Sequence, residues 1–339
     1  MPIPVSDPSC QILPLEPRWQ AEAKALYDSS FARAALPYAH RLPELFLANR
    51  VFSSCLWPSD CSRMIRTTGG EWVGFALANR RANPAAEEGA WLWLQLVCIA
   101  PRWRRQGFGR RILNSLLEQA AQEGREGVAT SMQWAGIWPG IPAGLTAMHR
   151  FCDRTGASLR PGESYLVRDL RAAWPLTCAA RRPIDQEGVK LLACTPSHHA
   201  SLRVLLQEQF SMGWQHETLS RIDPGYEPFN GYGLATTWEP GQAGRGIWIA
   251  EHWGEVVGFC VVQQDAEGAC HFGPIGLRLA WRGRGLGTRL LRTAADEVVR
   301  AGGDSLGLWT SALLAGGFYA PLGFRPLVTT RHAVWSVER

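Results

Sequence analysis

Apolar residues form short runs of strand length, separated by stretches in which they recur every three or four positions. Runs at residues 63–67, 72–78 and 91–99 predict strands. The helix predicted after the third run has apolar residues at helical spacing: Ile112, Leu113, Leu116, Leu117 and Ala120. This alternation of strands and helices predicts an α/β fold (α+β, with a mixed sheet).

The second half of the chain repeats this order of elements. Strands are predicted at 189–194, 247–251, 255–260 and in the run that ends at Leu277. The helix after Leu277 has these apolar residues at helical spacing: Leu286, Leu290, Leu291, Ala294, Val298 and Val299. A repeat this long indicates a duplicated domain rather than a solenoid. The predicted boundaries are a first domain at 1–170, a linker at 171–188 and a second domain at 189–339.

Each half has a basic, glycine-rich turn between an apolar strand and a helix. Residues 104–109 and 282–287 both have the form Arg-x-x-Gly-x-Gly. Glycines let successive backbone N–H groups point into one concavity, and the following helix N-terminus adds partial positive charge. Such a turn suits a pyrophosphate.

Composition narrows the class of protein and of partner. The 339 residues are 46% hydrophobic and 19% charged, which excludes a disordered protein, and no apolar run is long enough for a membrane span. The net charge of +5 is nearly all arginine, clustered at the two turns. This favours a phosphorylated ligand over nucleic acid, which needs a longer basic stripe.

Nine scattered cysteines, none in C-x-x-C spacing, predict free thiols rather than disulfides or a metal site. Because the first residues also lack a signal-peptide pattern, we expect a cytoplasmic protein.

These turns and the segments after them resemble the GNAT superfamily of acetyl-CoA-dependent N-acetyltransferases, with two acyl-CoA N-acyltransferase domains in tandem. In that family, a strand and an Arg/Gln-x-x-Gly-x-Gly/Ala turn are followed by a Phe-Tyr-x-x-x-Gly-Phe segment. The second half has that segment at Phe318–Phe324, with Tyr319 in it. The first-half counterpart, Phe151–Ala157, has Cys152 at the tyrosine position. Neither half has the asparagine that many relatives carry seven residues before the tyrosine.

The resemblance implies acetyl-CoA as co-substrate, with its pantetheine amides on the strand and its pyrophosphate on the turn. In the second half the implied contacts are Ile275, Gly276, Leu277, Arg282, Gly283, Arg284, Gly285, Leu286, Gly287 and Thr288. In the first half they are Val97, Cys98, Ile99, Arg104, Arg105, Gln106, Gly107, Phe108, Gly109 and Arg110.

Pro274 lies in the second of these strands and has no N–H group. It therefore predicts that the strand is at an edge, bulged or splayed at that point. Gly273, Pro274 and Gly276 either form only a bulge or also leave room for the ligand.

Acetyl transfer needs a neutral amine and a proton for the leaving thiolate. By resemblance Tyr319 is the proton donor; the alternative is an aromatic residue that only packs. His271, on the cofactor strand, and Glu251, at the end of the strand before it, are the candidates for the general base. A surface or core role is the alternative for both.

The resemblance therefore predicts an N-acetyltransferase whose second domain acetylates a primary amine of a small molecule. The first domain either binds acetyl-CoA or braces the second. The aromatic segment 212–241 either covers the acceptor or packs between domains. We expect a monomer or homodimer with no nucleic-acid, membrane or metal partner. The alternatives are a protein N-terminal or lysine acetyltransferase and a non-catalytic acetyl-CoA-binding protein.

Overall fold

The computed structural model divides into two compact units. It describes residues 10–31, 60–81, 89–130, 140–175, 188–219, 221–223, 246–264 and 270–337. Among them, residues up to Gly162 and from Thr330 onward form the first unit, and residues from Glu163 to Thr329 form the second.

The first unit contains most of the elements predicted for the first half. They are β1 (Cys10–Pro14), α1 (Gln20–Phe31), β2 (Arg63–Thr67), β3 (Trp72–Asn79), β4 (Trp91–Ile99), α2 (Phe108–Gln122), β5 (Gly127–Thr130), β6 (Ile141–Pro142), α3 (Thr146–Arg154) and the start of β7 (Ser158–Asp169). β1 to β4 are antiparallel neighbours and β4 pairs with β5 in parallel. The apolar face of α2 packs on this sheet, as the spacing of Ile112 and Leu116 predicted.

The second unit repeats the arrangement. Its elements are β8 (Val189–Ala193), α4 (His199–Gln209), α5 (Met212–Leu219), β9 (Gly246–His252), β10 (Glu255–Gln264), β11 (Cys270–Leu277), α6 (Leu286–Arg300), β12 (Ser305–Ser311), the short α7 (Ala312–Leu314), a π-helical turn (Ala315–Tyr319) and β13 (Arg325–Ser336). The sheet order is β7-β12-β11-β10-β9-β8. α6 packs on one face of this sheet and α4 on the other, because alternate residues of its strands are buried in two separate cores. The mixed α/β fold with tandem domains is therefore confirmed.

The compact units differ from the predicted boundaries in the last strand of each half. Residues Glu163–Asp169 of β7 pair with β12 of the second unit. The end of β13 pairs with β5 of the first unit, in the register Val334 to Ala129. As sequence segments, 1–170 and 189–339 stay a prediction, and most of the predicted linker lies outside the described residues.

The cysteine prediction agrees with the structure where it is described. Seven cysteines lie among those residues, and all are free thiols. No helix in the same part of the chain is both long and apolar enough to cross a bilayer.

Candidate active site

β11 leaves its neighbour β12 almost as soon as the two strands meet. They pair in parallel at His271 and Gly307, whereas β12 pairs along its whole length with β7 on its other side. At this point β11 is also bulged, because Val262 pairs with Phe272 but Cys260 pairs with Ile275. Among the described residues, β11 beyond Phe272 therefore has an edge with no strand partner. This is the bulged and splayed strand that Pro274 predicted.

The turn after β11 has the backbone that its glycines predicted. Gly283 and Gly285 are left-handed, with φ of 72° and 77°, and a Cβ at either position would meet no atom within 4 Å. The glycines are thus required by conformation, and the space beside them is open. In α6, Arg289 donates its N–H to Gly285, so the preceding helical N–H groups have no intrahelical acceptor. An open, N–H-lined concavity of this kind fits a pyrophosphate.

The first arginine of each turn is bound to the strand that precedes it. Arg282 Nε donates to the Leu277 carbonyl at 3.0 Å, and Arg104 Nε donates to the Ile99 carbonyl at the same distance. These bonds close both strand-to-turn junctions in the same way. A contact of Arg282 or the exposed Arg284 with phosphate stays a prediction.

Gly276 serves packing in this structure. A Cβ at this position would lie 2.4 Å from Cζ of Phe210, so the ring occupies the space that the missing side chain leaves. Phe210 stacks on Trp214 at 5.2 Å and meets Phe259 edge to face. The three rings line the face of the sheet opposite α6, and Trp214 is the member of the predicted aromatic segment that they include. Its other aromatics, Tyr226, Phe229, Tyr232 and Trp238, lie outside the described residues.

Tyr319 ends the π-helical turn and is 5% exposed. Its ring packs against Phe272 of β11, at 5.7 Å, and against Phe318 and Phe324. Burial raises the pKa of Tyr319 above its usual range, and the nearby Cys260 thiol adds to the rise. Among the described residues the hydroxyl has no hydrogen-bond partner. It therefore stays protonated at neutral pH and has a hydrogen bond to give.

His271 is next to Phe272 along β11, so its side chain points to the opposite face of the sheet from Tyr319. Its Nδ1 lies 2.6 Å from the hydroxyl oxygen of Tyr165, on β7. The candidate base and the candidate proton donor thus lie on either side of the point where β11 leaves β12.

Glu251 is not brought to this point. Its carboxylate faces His198 Nε2 at 3.3 Å, while Nδ1 of that ring accepts the Thr195 N–H. Glu251 pairs with Val256, seven positions along β10 from the partner of His271, which is about 23 Å at the rise of a strand. The sequence suggested proximity to the site, but Glu251 lies at the other end of these strands.

The first unit has the same framework with different chemistry. β4 also leaves β5 beyond Leu94, and its turn is left-handed at Arg105 and Gly107, with φ of 67° and 87°. Cys152 is fully buried at the position of Tyr319, and burial raises the pKa of its thiol to about 12. This thiol is a weak proton donor.

Gln95 is a polar residue of the first unit that sequence reasoning missed. It lies at the bulge of β4, is 7% exposed, and neither side-chain amide atom has a hydrogen-bond partner among the described residues. It lines a cavity of about 70 Å³ together with Thr130, Ile141, Leu145 and Met148. The signal was present as a single amide within the apolar run at 91–99.

One group among the described residues has metal-binding atom types within 4.8 Å of one another: Asp60, Cys61 and Glu123. Arg80 bonds both carboxylates, at 2.6 and 2.7 Å, so the group is an ion-pair network closed by a guanidinium. Burial raises the pKa of the Cys61 thiol to about 12, which disfavours the thiolate that a metal needs.

Two family models match the chain in sequence. One, described as "Acetyltransferase (GNAT) family", matches residues 25–136, and the other, "Acetyltransferase (GNAT) domain", matches residues 243–326. Together they cover more than half of the chain. No curated protein matches it in sequence.

Solved structures share the fold over nearly the whole chain. An N-acetyltransferase from Sphaerobacter thermophilus has a TM-score of 0.65 at 17% identity, covering 97% of this chain and 96% of that chain. A tandem GNAT protein from the clavulanic acid biosynthesis pathway has a TM-score of 0.64 at 18% identity, covering 97% and 99%. The glucosamine N-acetyltransferase region of a fungal multi-domain β-N-acetylglucosaminidase has a TM-score of 0.72 at 15% identity, covering 98% of this chain and 38% of that chain. At these identities the likeness shows the fold alone.

Proposed function

The chain belongs to the GNAT acetyltransferase superfamily and carries two GNAT domains in tandem, and from this premise we propose an N-acetyltransferase that acts on a primary amine of a small molecule. Membership makes the chain an acyltransferase that uses an acyl-CoA. Acetyl-CoA as the donor, the amine as the acceptor and the second unit as the catalytic one are the proposed details.

One observation carries the proposal for the second unit. Two side chains able to move protons, Tyr319 and His271, flank the point where β11 leaves β12. The freed strand edge beyond that point leads to the glycine-rich turn, which fits a pyrophosphate. Acyl-CoA binding and proton transfer are thus supported by adjacent parts of the same strand.

Bound acetyl-CoA supplies a thioester: the amine nitrogen bonds to its carbonyl carbon, the carbon–sulfur bond breaks, and coenzyme A leaves as a thiolate. Nε2 of His271 accepts one N–H proton from the attacking amine. Tyr319 supplies a proton to the thiolate sulfur. Solvent returns both side chains to their starting states, so one proton passes in net from nitrogen to sulfur. Such general acid and base groups each typically contribute 10²–10⁴-fold to a rate.

The first unit is assigned a non-catalytic role. It keeps the left-handed turn that favours phosphate binding, but Cys152 offers only a buried thiol of high pKa as a proton source. Binding acetyl-CoA without turnover and bracing the second unit both remain open for this half.

A small-molecule acceptor is supported by the aromatic surface on the His271 side of the sheet. Phe210, Trp214 and Phe259 pack closely over Gly276 there. Rigid aromatic walls of this type suit a compact ligand rather than an extended peptide. The state as a monomer or homodimer, without nucleic acid, is proposed on composition alone.

The test is release of coenzyme A from acetyl-CoA in the presence of a panel of small primary amines. With an accepted amine, Tyr319→Phe should lower kcat about 100-fold, because a phenyl ring has no proton to give. Its Kd for acetyl-CoA, measured by calorimetry, should stay within twofold of the wild-type value. Cys152→Ala is the matched control in the other unit, and its kcat should not change.

Two results would reject the proposal. One is the absence of acetyl-CoA binding in calorimetry. The other is equal loss of turnover in the Tyr319 and Cys152 variants.

A further inference from the structure

We propose that Tyr165 is a positioning residue that holds the His271 imidazole with its proton on Nδ1, which leaves Nε2 to take a proton from the amine. The proposal rests on the function proposed above for His271. It adds a residue from the first half of the chain to the site of the second unit.

The geometry of the pair is close and enclosed. Tyr165 is 3% exposed, and its hydroxyl oxygen lies 2.6 Å from His271 Nδ1. Its ring also packs on Trp309 of β12, with ring centroids 5.2 Å apart. A buried tyrosine held on its face in this way has little freedom to leave the hydrogen bond.

The contact passes over a whole strand, and one glycine makes that possible. β12 lies between β7 and β11, and its Gly307 pairs with His271. A Cβ on Gly307 would lie 1.9 Å from the Tyr165 hydroxyl oxygen and 2.5 Å from Cζ. The hydroxyl reaches His271 only because this position has no side chain.

The first unit lacks the arrangement at the equivalent positions. The bulges of β4 and β11 align Trp93 with His271. Trp93 pairs with Ala129, which therefore corresponds to Gly307. A methyl group thus stands in the first unit where the second unit leaves space for a tyrosine. The tyrosine–histidine pair distinguishes the half that has Tyr319 from the half that does not.

The hydrogen bond matters because a neutral imidazole carries one proton on either nitrogen. When Nδ1–H donates to the Tyr165 oxygen, Nε2 has a free lone pair and can act as a base. When the proton is on Nε2, that nitrogen cannot take another. As His271 accepts the amine proton on Nε2, its Nδ1 proton stays in the bond to Tyr165. The tyrosine oxygen then stabilises the charged ring.

Nitrogen-15 spectroscopy of the histidine side chains tests the pair directly in the full chain without any ligand. The His271 signals are identified by their loss in His271→Gln. In the wild-type protein at neutral pH we expect Nδ1 of His271 to carry the proton. In Tyr165→Phe, which removes one oxygen atom, the proton should move to Nε2 in a substantial fraction of molecules. With an accepted amine, kcat/KM should fall about tenfold, a part of the contribution of a general base.

Two further variants make the test specific. Gly307→Ala should reproduce both effects, because its methyl group displaces the hydroxyl. If that variant does not fold, Tyr165→Phe still decides. Tyr27→Phe removes a hydroxyl of similar burial in the first unit and should leave the His271 signals unchanged.

The proposal is overturned if wild-type His271 carries its proton on Nε2, or if Tyr165→Phe changes neither the proton position nor kcat/KM. Unchanged turnover in His271→Gln would overturn the proposed base as well. The failure of this inference and the failure of the base are therefore distinguishable.

Discussion

Arg168 should stabilise the segment that carries Tyr319, because it bonds the end of that segment from inside the second unit. The side chain is 3% exposed and donates to the Leu322 carbonyl at 2.7 Å. It also donates to the carbonyls of Ala172 and Ala173, at 2.9 and 3.1 Å. Its guanidinium carbon lies 4.1 Å from the centre of the Trp174 ring.

Arg168→Met keeps a long apolar stem and removes all of these donors. The Leu322 bond is fully buried, and a buried carbonyl left without a donor costs about 1–3 kcal/mol. The other two carbonyls are only partly buried, so water can replace part of their bonds. The methionine also avoids the cost of burying a charge, which offsets part of the loss. We therefore expect the free energy of unfolding of the second unit to fall by about 2–4 kcal/mol.

Urea unfolding followed by circular dichroism measures this change, and kcat follows its effect on Tyr319. The matched control is Arg171→Met, three residues further on. That side chain is 74% exposed and its partners, Asp169 and Asp304, lie at the surface. The control should unfold at the wild-type urea concentration, because exposed ion pairs contribute little. If Arg168→Met unfolds no earlier than the control, the guanidinium does not hold this segment.

Two further changes test the fold itself. Burial raises the pKa of Glu123, but hydrogen bonds from Arg80 and other donors outweigh it and lower the pKa to about 2; the ion pair therefore stabilises the fold above about pH 4.5, and this contribution is lost as pH falls towards 2. Arg80→Met should lower the melting temperature at pH 7 and match the wild type at pH 2; an equal deficit at both pH values would contradict this. Gly276→Ala should cost about 1–3 kcal/mol in urea unfolding, because the new methyl group overlaps Phe210. The control Gly287→Ala, whose nearest contact is 3.6 Å, should cost nothing, and equal losses would show that the Phe210 contact is not what matters.

Local patterns were enough for most elements and for the turns. The run 63–67 is a strand with those bounds, and the glycines at 283 and 285 are left-handed as a phosphate-binding turn requires. These features depend on neighbouring residues only. Exchange of the last strands does not: β7 and β13 are both twelve-residue strands of mixed burial, and nothing in either pattern names the sheet it joins.

The same limit explains the site residues that were missed or misplaced. Glu251 and His271 are candidate bases by residue type, and only the strand register separates them along the sheet. Tyr165 belongs by sequence to the first predicted domain, so its bond to His271 follows from strand exchange. Gly276 has the pattern of a ligand slot, but the space beside it is filled by Phe210, a residue some 65 positions earlier.

The differences between the two halves are concentrated on proton transfer. The first unit keeps the left-handed backbone of its turn, even at Arg105, where a side chain makes that conformation costly. It retains the departure of β4 from β5 as well. Yet Trp93, Ala129 and Cys152 stand where the second unit has its base candidate, the space beside it and its proton donor. A framework that suits an acyl-CoA without the groups that move protons fits a binding or bracing role. Chemistry is then confined to the unit that receives Tyr165 from the other half of the chain.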